Sequence, residues 1–183
     1  MLTNHAESMS DAIPASNYVT SLEEILWGIC LVAATLVIHA FGMVMTLRIN
    51  AALQPRVARA RSFTLDVGLL ILSSWIIIVI HLFEVLVWAL FIYWKQAIPN
   101  LNTSVAYYFS LNEYTTVGSN YNLVFKWRLL EGMLATAGLL AFAWSTGILL
   151  TLAQGFQDRQ MQFLRERRSG QRPAPASAVA ERP

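Results

Sequence analysis

A single cysteine, Cys30, is the whole thiol content of the chain. One thiol closes no internal disulfide and builds no multi-thiolate metal centre, and Cys30 lies inside an apolar run, where it is expected to act as a small core residue. Charge is nearly as scarce: Asp, Glu, Lys and Arg make up 13% of the 183 residues, against 56% hydrophobic, well below the usual charge content of a soluble domain. Histidine occurs three times, as His5, His39 and His81, too seldom for an intramembrane oxygenase. No serine or cysteine nucleophile with a partner base and no phosphate-cradling glycine loop can be found, so an enzyme is not expected. Residues 1–21 hold no Lys or Arg. They lack the basic opening of a secretory signal and are expected to stay as an outer-side N-terminal segment. No apolar run carries regularly spaced arginines, which excludes a voltage-sensing helix.

The apolar residues are clustered into runs longer than the roughly 20 residues that cross a bilayer core. Residues 22–48 form a first transmembrane helix. A basic linker, 49–65, follows with Pro55, Arg56, Arg59 and Arg61. Residues 66–94 form a second span; its β-branched stretch Ile76–Ile80 suits a strand by propensity, but an isolated strand in lipid leaves its edges unsatisfied, so helix is expected. Trp75, Trp88, Tyr93 and Trp94 include interfacial anchors at the far end of this span. A short helix over 102–114, capped by Asn102 or Thr103, is too short to span. The loop 115–120 leads on to a third span, 127–153, whose many small residues would let helices approach closely. Residues 154–183 read as an amphipathic segment and a Pro/Ala/Ser-rich disordered tail. The whole is one all-α membrane protein.

Positive charge sets the orientation. Arg48, Arg56, Arg59 and Arg61 lie in or beside the linker and six more arginines follow the third span, whereas the stretch between spans two and three has only Lys95, Lys126 and Arg128. Basic residues stay cytoplasmic, so the N-terminus and the 115–120 loop face out and the C-terminus faces in. The basic C-terminal segment would rest on anionic cytoplasmic lipid; no nucleic-acid fold is present to use it.

The loop reads Thr115-Thr116-Val117-Gly118-Ser119-Asn120. A dehydrated cation needs a cage of oxygens, which backbone carbonyls supply when successive residues alternate between right- and left-handed conformations. Gly118 tolerates the left-handed one freely, and Asn120 is the next most permissive residue at the second such position. Tyr107-Tyr108-Phe109-Ser110-Leu111 before Thr115-Thr116-Val117-Gly118, with Trp127-Arg128-Leu129-Leu130 and Trp144-Ser145-Thr146 after it, resembles the potassium-channel pore family, in particular small bacterial ion-channel proteins. The resemblance covers residues 66–153. It implies an outer helix, a re-entrant pore helix, a filter and an inner helix, with four copies in a ring. It implies a multi-pass protein of the plasma membrane, the bacterial inner membrane, passing potassium or another monovalent cation with no other cofactor. Thr116, Val117, Gly118, Ser119 and Asn120 would line the ion path, flanked by Thr115, Asn112 and Glu113. The chain departs from the usual T-V-G-Y-G at Ser119 and Asn120, and Tyr121 replaces the acid that usually follows. Those departures leave potassium against sodium open and raise an alternative: a non-conducting, channel-derived subunit that assembles with or regulates a partner.

Polar groups within the spans complete the candidates. Intramembrane ionisable residues are costly and suggest function. His81 and Glu84 share one helix face; Glu84, Arg128 and Glu131 are expected to form a network behind the filter, and His81 is a candidate for proton sensing or gating. Counted from the inner span ends at about 1.5 Å per residue, His39 lies roughly 10 Å deep and His81 roughly 20 Å. Facing ligands to one centre should sit level, so a shared haem or metal is not expected. Gly138 and Gly147 are candidate flex points of the inner helix, which close packing explains equally well.

Overall fold

The computed structural model describes residues 19–60, 63–99 and 101–170. The expected disordered tail after Gly170, Arg61 and most of the N-terminal segment lie outside these. Among the described residues every element is a helix: α1 (Leu22–Ala60), α2 (Phe63–Trp94), α3 (Thr103–Tyr114), a 3₁₀ turn (Phe125–Trp127) and α4 (Leu129–Gly170). Three segments, Leu22–Ala60, Phe63–Trp94 and Phe125–Arg165, are long and apolar enough to cross a membrane, as a multi-pass membrane protein requires.

Helix starts follow local chemistry. Ser21 opens α1 by accepting the Glu24 amide on its hydroxyl at 3.1 Å, the first half of a capping box. Asn102 opens α3 by accepting the Val105 amide at 2.8 Å. Two ends run further than the sequence pattern suggests. The residues expected to be a linker after Arg48 continue α1 to Ala60, with Pro55 inside the helix. Ala51, Ala52, Leu53, Gln54, Arg56, Ala58 and Arg59 are strong helix formers, and together they outweigh one lost backbone bond at proline. Likewise the amphipathic segment after Ala153 is a direct continuation of α4.

The chain forms two compact units, the described parts of Met1–His39 with His81–Ala141, and of Ala40–Ile80 with Phe142–Pro183. The first unit has an extensive core. Trp88, Phe109, Tyr114, Ile92, Leu130 and Leu134 are wholly or almost wholly buried. Of the aromatics expected to include interfacial anchors, Trp88 donates its indole N–H to Thr35 Oγ1 at 2.8 Å, while Trp75 and Trp94 are exposed. The Glu24 carboxylate accepts the Leu129 amide at 2.6 Å and so caps α4, where a negative charge also suits the helix dipole. Lys95 Nζ sits 4.2 Å from the Trp94 ring centre and 4.9 Å from that of Trp27, a cation–π arrangement. Cys30 is exposed on α1, not in the core: the apolar run around it has an outward face as well as an inward one.

The second unit has a smaller core, Met43, Ile77 and Ile80, with Ile76, Ile148 and Leu149 packed against it. Gly42 lets Ile80 approach, since an added Cβ would lie 2.5 Å from its Cδ1. Asn50 Nδ2 donates to Ser73 Oγ at 3.2 Å, and Asp66 accepts from Gln160 Nε2 at 3.2 Å and Arg159 Nη2 at 3.5 Å.

Candidate functional site

The segment Thr115–Asn120 follows directly on α3, and its first residues are the cap of that helix. The Thr116 amide donates to Glu113 O at 3.0 Å and the Val117 amide to Asn112 O at 3.0 Å, the paired bonds of a Schellman motif. Its left-handed position, normally glycine, is Thr116, at φ 62°. A β-branched residue is rare there and costs on the order of 1–3 kcal/mol. Two residues on, Gly118 is also left-handed at φ 79°, with nothing within 4 Å of an added Cβ; its backbone angle, not crowding, calls for glycine. The left-handed residues are thus Thr116 and Gly118, and Asn120 is not among them. The second positive φ falls two residues before Gly118, at the cap of α3, and not two residues after it at Asn120, where it was expected.

Acidic side chains hold the loop by its amides. Glu113 Oε1 accepts from the Ser119 amide at 3.0 Å, and Glu131 Oε1 from the Leu123 amide at 2.8 Å. The Ser119 hydroxyl donates to Tyr121 O at 3.0 Å, and Asn112 Nδ2 turns back to Tyr108 O at 2.7 Å. Val124 N ties the far end of the segment to Ala97 O at 2.8 Å. Thr116, Val117, Gly118 and Asn120 are all exposed on the single chain, Val117 by 76%.

Behind α3 lies a buried polar cluster. Glu84 Oε1 accepts from His39 Nδ1 at 2.9 Å; Glu84 Oε2 accepts from the Tyr114 hydroxyl at 2.5 Å. His81 Nδ1 lies 2.8 Å from that hydroxyl, which can accept from it while donating to Glu84. Tyr114 is the last residue of α3, and its carbonyl oxygen would lie 2.0 Å from a Cβ at position 138. Gly138 is therefore explained by close packing of α4 on the end of α3. Gly147 has no such neighbour.

Two sequence expectations are corrected. Glu84 stands apart from the expected network with Arg128 and Glu131: it joins His39 and Tyr114, while Glu131 holds Leu123 N within the field of Arg128, which lies over the Phe125 ring, 5.9 Å from its centre. His39 and His81 are not at different depths; their ring centres are 5.2 Å apart. The count went wrong because α1 does not end at Arg48. Measured from its real end at Ala60, His39 is about 31 Å along α1, and His81 about 27 Å along α2 from Phe63, less than one turn apart. Tyr114 was missed altogether; its place one residue before the T-T-V-G stretch was the available signal.

No protein-family description, curated protein or solved structure matches this chain.

Proposed function

We propose that the protein is a potassium-channel-like cation channel, passing monovalent cations through a homotetrameric pore whose backbone-carbonyl filter is the T-T-V-G-S-N loop. One observation carries this reading. Thr116 and Gly118 are left-handed on either side of Val117, in an exposed loop that leaves a twelve-residue helix between two helices of membrane-crossing length. Alternating handedness turns successive carbonyls to one side, as an ion-lining strand requires. The carbonyl end of α3 brings partial negative charge to the same place, and a strained residue is a reason to look for function. Exposure fits a ring of four, in which neighbouring copies cover what one chain leaves open; on α4, Gly132, Thr136, Leu139 and Leu140 are exposed as well. In this reading α3 is the pore helix, α2 the outer and α4 the inner helix. The protein lies in the cell membrane with its N-terminus outside and its basic C-terminal segment on the anionic cytoplasmic leaflet.

Cation flux from liposomes holding the purified protein tests this, first under a potassium gradient and then a sodium gradient. Gly118→Pro is the control: proline cannot reach φ 79° and removes the amide that donates to Asn112 O. Potassium flux lost in the control supports the pore. Absence of flux from tetrameric wild-type protein rejects it. The second reading, a non-conducting subunit that assembles with a partner, draws on Asn120: the alternation stops after Gly118, so the outer part of the filter path is not continued.

A further inference from the structure

His39 from α1, His81 and Glu84 from α2 and Tyr114 from α3 turn their polar atoms to one point inside the first unit. The potential ligand atoms of His39, His81 and Glu84 lie within 4.8 Å of one another, and all three residues are buried. We propose that these four side chains form a site for a divalent transition-metal ion of the zinc type.

The donor geometry fits. Four bonds of about 2.0–2.1 Å in a tetrahedron put neighbouring donors about 3.3 Å apart. Here His39 Nδ1 is 2.9 Å from Glu84 Oε1, His81 Nδ1 is 2.8 Å from the Tyr114 oxygen and 3.6 Å from Glu84 Oε2, and that oxygen is 2.5 Å from Glu84 Oε2. Shifts of a few tenths of an ångström to about 1.5 Å bring the donors to tetrahedral spacing around an ion. Both imidazoles present the same nitrogen, Nδ1, to the same carboxylate. Two imidazoles with two oxygens suit zinc and its neighbours; magnesium and calcium prefer oxygen alone.

The charge also closes. On binding, each imidazole moves its ring proton from Nδ1, the nitrogen that ligates, to Nε2 and stays neutral. The ion takes the place of the phenolic proton, which leaves to water, so that one dication, one carboxylate and one phenolate sum to zero. A neutral sum is what a buried intramembrane site needs. The ion would then tie α1, α2 and the last residue of α3 together, directly before Thr115. None of this depends on the loop conducting ions.

The test uses the full chain, purified with a histidine-free tag from cells grown with zinc. Metal content is read by mass spectrometry; Co²⁺ is then added to the stripped protein and followed in the visible. The expected result is about one zinc per chain, with the strong visible bands of four-coordinate Co²⁺. Tyr114→Phe, which keeps the ring packing, should shift the visible bands and bind Co²⁺ at least about tenfold more weakly. His39→Gln and Glu84→Gln should lose the bands, and His5→Ala should change nothing. Folded wild-type protein with no zinc and no Co²⁺ bands would overturn the proposal and leave a hydrogen-bonded cluster alone. So would retention of the full Co²⁺ spectrum in Tyr114→Phe, or its loss in His5→Ala.

Discussion

The two units handle polar groups in opposite ways. In the first, buried polar side chains reach across the chain: His39 to Glu84, Tyr114 to Glu84, Trp88 to Thr35, Glu24 to Leu129. In the second, Thr46 turns back to Gly42 O and Ser73 to Leu69 O on their own helices, and the longer links are Asn50 to Ser73 and Asp66 to Arg159 and Gln160. A hydroxyl satisfied by its own helix positions nothing else. A carboxylate shared by three elements fixes all of them, and in low dielectric its loss costs each partner a bond. The first unit is where α3 and the T-T-V-G loop sit, so the cross-chain bonds are concentrated where a loop with two left-handed residues has to be held.

The sharpest way to break this contrast is to cut each unit at its carboxylate. Glu84→Ala removes the buried carboxylate that His39 and Tyr114 both bond and should cost about 3–5 kcal/mol, read as a fall in thermal unfolding temperature in detergent. Asp66→Ala should cost about 1 kcal/mol, since its Arg159 partner is a quarter exposed and the bonds are long. Equal losses would erase the distinction. Glycines give the next comparison. Gly138→Ala drives a Cβ into the Tyr114 carbonyl and should cost about 2–3 kcal/mol, whereas Gly147→Ala, with open space around it, should stabilise α4 by about 0.5–1 kcal/mol. The smallest effect concerns the loop. Thr116→Gly relieves the left-handed threonine and should raise stability by about 1 kcal/mol; a fall instead would mean that the threonine side chain contributes a contact larger than its backbone strain.

Much of the helical layout was legible. Apolar run length located the three long helices, and the residues around Asn102 marked the start of α3 to within a residue. Where helices end was harder. Arg48 looks like a stop because charge ends an apolar run, but a backbone helix does not need apolar residues, and the Ala- and Arg-rich stretch to Ala60 keeps its own hydrogen bonds. That one boundary carried the histidine error with it. In the candidate site, Gly118 was readable because a positive φ leaves a glycine behind. Thr116 was not, because its conformation comes from the cap of α3 and not from its own preference. The bonds of Glu113 and Glu131 to loop amides were equally hidden: a carboxylate's sequence gives its helix face, not which unsatisfied amide the folded loop will offer it.

Single-channel recording of the reconstituted protein, with potassium on one side of a planar bilayer and sodium on the other, bears most directly on the proposed pore. The loop geometry predicts unitary cation currents that vanish in Gly118→Pro, with the reversal potential measuring how far Ser119 and Asn120 relax selectivity. Silent bilayers, from wild-type protein shown to be folded and tetrameric, would contradict it.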